Sequence, residues 1–148
     1  MSRLLLSLAG VGVLAVLLAC GGAGGQKKES KQSGKASAVP YRVVAEHGLT
    51  KLIVIDKDHR NEKDLKALGE ELRKDFGKER LVNVIVYDDD KAAGMWKDAT
   101  QDQLKENDSA FYDKHMLGAY TRNANTGIHR FLIYLEGVAG PQIEVKYP

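Results

Sequence analysis

Five aspartates stand directly after two apolar runs, where carboxylates could bind a hard cation or exchange protons. They are Asp56 and Asp58 after the first run, and Asp88, Asp89 and Asp90 after the second. Several carboxylates held close together suit Mg²⁺ or Ca²⁺, and one whose pKa is raised by its neighbours can act as a general acid or base. The alternative is local, because Asp bonds the backbone in turns and Asp90 is placed to cap a helix.

The elements before these aspartates decide whether the carboxylates meet. Leu52–Ile55 is apolar on both faces, as a central strand requires, and Leu81–Tyr87 has the alternation of another strand. A helix between them would make the two strands parallel neighbours in a β-α-β crossover. Both aspartate groups would then emerge at the carboxyl edge of the sheet, where open α/β sheets bind ligands.

That helix is predicted from Asn61, which can act as its N-cap, to Gly77, where a left-handed terminal residue would fit. One apolar stripe runs along it: Leu65, Leu68, Leu72 and Phe76. Charged pairs are expected on its wet side, Glu62 with Lys66 and Glu70 with Lys74. The helix therefore buries one face against the sheet.

The last third of the chain has the pattern of an antiparallel meander. Residues 117–122 and 128–135 flank a turn-forming segment that ends in Gly127, and a final strand alternates around Ile143 and Val145. The sequence thus predicts an α+β fold, with a mixed sheet of about six strands, one β-α-β crossover, a C-terminal meander and helices mostly on one face.

The first twenty residues have the layout of a secretory signal that ends in a cysteine. Arg3 gives a positive start, residues 4–19 are uncharged and mostly apolar, and Cys20 follows the small residue Ala19. This layout resembles a bacterial lipoprotein signal with its lipobox. The resemblance implies cleavage after Ala19 and a diacylglycerol on the Cys20 sulfur. An ordinary secretory peptide or an uncleaved anchor is the alternative, although the apolar run is shorter than the ~20 residues of a spanning helix.

Lipidation would consume the only cysteine of the chain, so no thiol would be left for a disulfide, a nucleophile or a metal site. By resemblance to enterobacterial sorting rules, Gly21 in place of Asp favours the outer membrane if the organism has one. We therefore expect a protein of the cell envelope whose first partner is membrane lipid.

The chain divides into three regions: residues 1–19 as the signal peptide, residues 20–40 as the lipidated cysteine with a flexible Gly/Ser/Lys tether, and residues 41–148 as one domain. From Tyr41 onward there are 17 basic and 19 acidic side chains, a net charge of −2. This balance disfavours nucleic-acid binding, which needs a basic footprint.

Aromatic side chains offer a second kind of site. Trp96 and Tyr120 are candidates for contact with a partner, because aromatic residues dominate interaction hot spots. Core packing is the alternative for both.

From Tyr41 onward the chain resembles small bacterial lipoproteins with an uncharacterised α+β domain. The resemblance is carried by Leu52–Asp56, Asp88-Asp89 with Trp96, Phe111-Tyr112 near His115, Tyr120–Asn123 and Thr126-Gly127. It brings no catalytic residues to this chain, and we expect no cofactor. The first hypothesis is a membrane-anchored module that binds an envelope protein or a small ligand. The alternative is a metal-assisted envelope enzyme that uses the five aspartates.

Overall fold

A computed structural model describes residues 39–148. The predictions for the signal peptide, Cys20 and most of the tether lie outside the described residues. The described residues form six strands in one sheet, in the order β1-β2-β3-β4-β5-β6. Their bounds are β1 Tyr41–His47, β2 Thr50–Ile55, β3 Leu81–Tyr87, β4 Met116–Asn123, β5 Ile128–Tyr134 and β6 Gln142–Lys146.

In the same part of the chain four α-helices connect or cover these strands: α1 Glu62–Phe76, α2 Asp90–Gly94, α3 Trp96–Thr100 and α4 Glu106–His115. The β2 and β3 strands are parallel and the other neighbouring pairs are antiparallel. The predicted α+β fold is therefore confirmed, with its mixed six-stranded sheet, its single β-α-β unit and its meander of β4, β5 and β6.

Among the helices of residues 39–148, α1 alone covers one face of the sheet. Its predicted stripe is confirmed, because Leu65, Leu68 and Leu72 are fully buried against residues of β2 to β5 and Phe76 packs at the margin. Gly69 lets α1 approach the sheet closely, since a Cβ there would lie 2.7 Å from the Phe131 ring. The hydrophobic core on this face of the sheet is larger than the one on the opposite face.

Val39 belongs to this core as well. It is fully buried in the same cluster as Ile53 and Ile55, although its position in the sequence placed it in the tether. The packing of Val39 thus extends the folded domain to a residue just before β1. No pattern can be read from a single valine beside Pro40, which is why the sequence did not indicate it.

The three shorter helices pack on the opposite face. There Leu52, Val54, Ile85 and Tyr87 meet Ala92 and Ala93 of α2 and Tyr112 of α4. Three helices share one face, as expected, but the longest lies on the other, so the sheet is covered on both sides. The apolar run Leu52–Ile55 within β2 is the consequence that the sequence does show, since these four residues are buried on both faces of the sheet.

Two details of α1 differ from the expectations. Gly77 is right-handed, with φ −66°, and its N–H bonds the carbonyl of Arg73, so the helix ends without a left-handed residue. Glu62 pairs with Lys66 as predicted, but Glu70 pairs with Arg73, and Lys74 pairs with Glu71. Residues three apart are neighbours on a helix surface, as residues four apart are, so both spacings allow ion pairs.

The sheet has two distinct ends. Tyr41 pairs with Ile55, so the chain enters the domain at the carboxyl edge, where β2 and β3 end. The opposite end, called here the distal end, carries the β1–β2 turn and the β4–β5 hairpin. Gly48 and Gly127 close these connections with φ of 61° and 72°, which glycine adopts without steric cost. No helix in residues 39–148 is long and apolar enough to cross a membrane.

Candidate functional site

Asp88 is the centre of a buried polar network at the carboxyl edge. Its side chain is 2% exposed, and one oxygen lies 2.6 Å from Nδ1 of His115. The other carboxylate oxygen accepts a bond of 3.4 Å from Nη1 of Arg60, whose Nη2 donates to the carbonyl of Lys114 at 2.7 Å. A buried carboxylate is therefore held between two basic side chains.

Irregular backbone brings these groups together. The pairing of β3 with β4 shifts register between Val86 and Tyr87, and the Asp88 N–H bonds the carbonyl of His115 at 3.3 Å. Such bulges redirect side chains and are frequent next to functional sites. A hydrogen bond of 2.8 Å between the Tyr87 and Tyr112 hydroxyls fixes α4, and with it His115. Burial raises the pKa of Tyr87, and the bond with Tyr112 adds to that rise.

The network has the geometry of a carboxylate that orients an imidazole. A bond to Nδ1 leaves Nε2 of His115 as the atom that could accept or donate a proton. However, the side chain of His115 is only 12% exposed and packs on the Phe111 ring, with centroids 4.4 Å apart. Within residues 39–148 its one side-chain hydrogen bond runs to Asp88. The network can thus position a proton-transfer group, and it joins β3, α4 and the loop before α1.

The other four aspartates do not gather around a common point. Asp56 accepts a bond from the Asp58 N–H in a short 3₁₀ turn, and the side chain of Asp58 is exposed. Asp89 caps α2 through the Lys91 N–H, and Asp90 pairs with Arg42. Among the described residues no group of three or more His, Cys, Asp or Glu side chains is arranged to hold a metal ion. The shared cation site predicted from the sequence is therefore not assembled.

Local partners also explain the electrostatics of Asp89. Desolvation acts to raise the pKa of its carboxyl, but the Lys57 ammonium at 3.2 Å and the N–H groups of Lys91 and Ala92 outweigh it and hold that pKa below its usual value. The carboxylate is charged and already compensated. Asp89 is therefore the N-cap of α2, whereas the sequence indicated Asp90 for this role. Asp90 is instead the first residue of the helix and pairs with Arg42.

Replacement of Asp88 with alanine is expected to lower the free energy of unfolding by about 3 kcal/mol, because it leaves Arg60 and His115 part-buried without their carboxylate partner. Urea denaturation followed by circular dichroism measures this change. Asp58→Ala is the matched control, since Asp58 is exposed, and it should shift stability by no more than about 0.5 kcal/mol. Equal effects of the two variants would contradict the assigned role of Asp88.

The two candidate interaction residues, Tyr120 and Trp96, differ in burial. Tyr120 is fully buried, and its hydroxyl lies 2.8 Å from Nε2 of His129, so it presents no surface to a partner. Trp96 is half-buried and stacks on the exposed His47 ring, with centroids 4.9 Å apart and planes 13° apart. In the adjoining turn, Leu49 is 59% exposed. His47, Leu49 and Trp96 are called the distal patch below.

The chain was compared with known proteins at three levels. No protein-family model, no curated protein and no solved structure matches it.

Arg60, His115 and His47 were not among the site residues predicted from the sequence. Asp88 is 28 residues from Arg60 and 27 from His115 along the chain, so no local spacing connects them. The signal that could have found them is indirect, because the predicted carboxyl edge already contained Asp88. A buried aspartate after a strand requires basic partners, but only the tertiary structure shows that these are His115, beside β4, and Arg60, in the loop before α1.

Proposed function

We propose that this protein is a lipid-anchored binding module of the bacterial cell envelope and that the distal patch receives a partner protein. The anchor in this proposal is Cys20, at the end of the lipobox-like signal. The observation that carries it is the position of the patch. The chain enters the domain beside Ile55, whereas the exposed Leu49 and the His47–Trp96 stack lie at the opposite end of the sheet.

The shape of the patch favours a protein over a small molecule. Small ligands bind in concave sites that cover most of their surface, whereas Leu49 projects from a turn. Ile128, 39% exposed, is at the same end of the sheet in the β4–β5 hairpin. Trp is among the residues most enriched at binding hot spots, and Trp96 supplies one at the same end of the sheet as the exposed Leu49. Contact at this end leaves the tethered end free to face the membrane.

Cross-linking in the native envelope tests this proposal. A photo-reactive amino acid placed at Leu49 of the full chain is expected to give a discrete adduct with an envelope protein, and His47→Ala should reduce its yield severalfold by removing the stack beneath Trp96. The matched control carries the same label at Asp58, which is exposed at the carboxyl edge. The same adduct at the same yield from both positions would show that the distal patch is not the binding surface.

A further inference from the structure

Within residues 39–148 the β6 strand leaves a regular, unpaired edge at one side of the sheet. It is last in the sheet order, and its pairing with β5 runs without a register shift from Gln142 to Lys146. The Tyr147 N–H continues the ladder with a bond of 2.9 Å to the carbonyl of His129. Hydrogen-bonded pairs alternate along antiparallel strands, so the backbone groups of Gln142, Glu144 and Lys146 point away from β5. These three residues offer donors and acceptors to another strand.

The opposite edge of the sheet is built differently. The β1 strand carries a bulge between Val43 and Ala45, which twists an edge and disrupts further pairing. Its Arg42 side chain is already bound to Asp90. Of the two edges, β6 is the one with uninterrupted geometry for an added strand.

We infer that two copies of this protein pair antiparallel through their β6 edges, centred on Val145. In this register Glu144 lies opposite the partner's Lys146, and Lys146 lies opposite the partner's Glu144. Both pairs are of the hydrogen-bonded kind, so four backbone hydrogen bonds and two cross-strand ion pairs form together. A register shifted by one residue per strand would place Glu144 against the partner's Glu144, and like charges directly opposite each other are unfavourable.

The α1 side of the same edge supports a second copy as the occupant. An open groove between α1 and β6 is lined by Lys66, Ala67, Glu70, Ile143 and Val145. The two-fold pairing puts Val145 against the partner's Val145 and Ile143 against the partner's Tyr147. These apolar pairs join the floors of the two grooves. Each groove also has Lys66 and Glu70, which carry opposite charges, on its rim.

Confinement to a membrane would strengthen such a small interface. Two copies anchored in the same leaflet meet at a raised effective concentration, which increases the dimer fraction without any new contact. This gain depends on the proposed anchor, whereas the strand pairing itself does not. The experiment can therefore separate the two.

Disulfide trapping of the full chain in its own membrane tests the pairing. In the proposed register the Val145 Cα atoms of the two copies form a non-hydrogen-bonded pair, about 4.5 Å apart, which suits a disulfide. Val145→Cys is expected to give a disulfide-linked homodimer, and Glu46→Cys, on the bulged β1 edge, should give little. Equal dimer yields from the two positions would overturn the pairing, and so would a Val145→Cys adduct with another protein in place of the homodimer.

Charge exchange gives the sharper criterion. Adding Glu144→Lys to the Val145→Cys chain should weaken dimerisation at least tenfold, because both ion pairs become repulsive. Adding Glu144→Lys together with Lys146→Glu should restore it to within about twofold. Both variants lose the bond from Arg130 to Glu144 inside each subunit, so failure of the exchange to restore the dimer would refute the register.

A proline variant tests the open edge without changing the β5 ladder. The Lys146 N–H points away from β5. Adding Lys146→Pro to the Val145→Cys chain should therefore leave the folded monomer intact and remove the disulfide-linked dimer. An unchanged dimer would refute the strand pairing. The parent chain reports on the anchor separately, because a Cys20 without lipid keeps a free thiol that can be trapped as a disulfide, whereas a lipidated Cys20 has none.

Discussion

Replacing Leu72 with aspartate is expected to prevent the domain from folding. Leu72 is fully buried at the centre of the α1 stripe and packs in the larger core. A carboxylate there would lose its hydration without gaining a basic partner, at a cost of several kcal/mol, in addition to the lost apolar contacts. A domain of this size is stable by about 5–15 kcal/mol, so this one change consumes most or all of that margin. Circular dichroism and urea titration of the variant measure the loss.

Lys63→Asp is the matched control for Leu72→Asp. It introduces the same carboxylate into the same helix at an exposed position in the first turn, where a negative charge is favoured by the helix dipole. It should leave the unfolding midpoint close to that of the parent. A cooperative unfolding transition in the Leu72→Asp variant, with a midpoint near that of Lys63→Asp, would contradict the assignment of this stripe to the core.

Replacing Cys20 with serine is expected to abolish incorporation of fatty acid into the protein. Thioether attachment of diacylglycerol requires the sulfur, and Cys20 is the only cysteine of the chain. Each buried methylene contributes about 0.8 kcal/mol to membrane affinity, so loss of the acyl chains removes the main attachment in the proposed function. Growth with a labelled fatty acid, followed by purification and gel analysis, measures the incorporation.

Gly22→Ser is the matched control for Cys20→Ser. It introduces the same residue type two positions later and leaves the proposed lipidation site and Gly21 unchanged, so it should retain the label of the parent. Equal labelling of the Cys20→Ser variant and the parent would refute lipidation at this residue. Fractionation alone is a weaker readout, because an unprocessed leader could still hold the variant in the membrane.

The elements of the fold that depend on local patterns were predictable. The periodicity of Leu65, Leu68 and Leu72 identified α1, and the two apolar faces of β2 identified a central strand. The helix predicted between β2 and β3, with short connections on either side, indicated a parallel pair. The turn-forming residues around Gly127 indicated the β4–β5 hairpin, and the structure confirms each of these elements.

The features that depend on contacts between distant residues were not predictable. Placement of α1 and α4 on opposite faces follows from which side of the sheet each helix reaches, and hydrophobic spacing does not encode that side. The register shift beside Tyr87, which brings His115 to Asp88, likewise leaves no mark in the sequence. The carboxyl edge was the expected place for these aspartates, but the partners of each carboxylate depend on the tertiary structure.

The most direct test of the central claim is the intact mass of the protein extracted from its own membrane. The proposed function predicts a mature chain that begins at Cys20 and carries a diacylglycerol on the Cys20 sulfur. After proteolysis, the added lipid mass should be found on the peptide that contains residue 20. A chain that retains residues 1–19, or one that begins elsewhere and has no added lipid mass, would contradict the account.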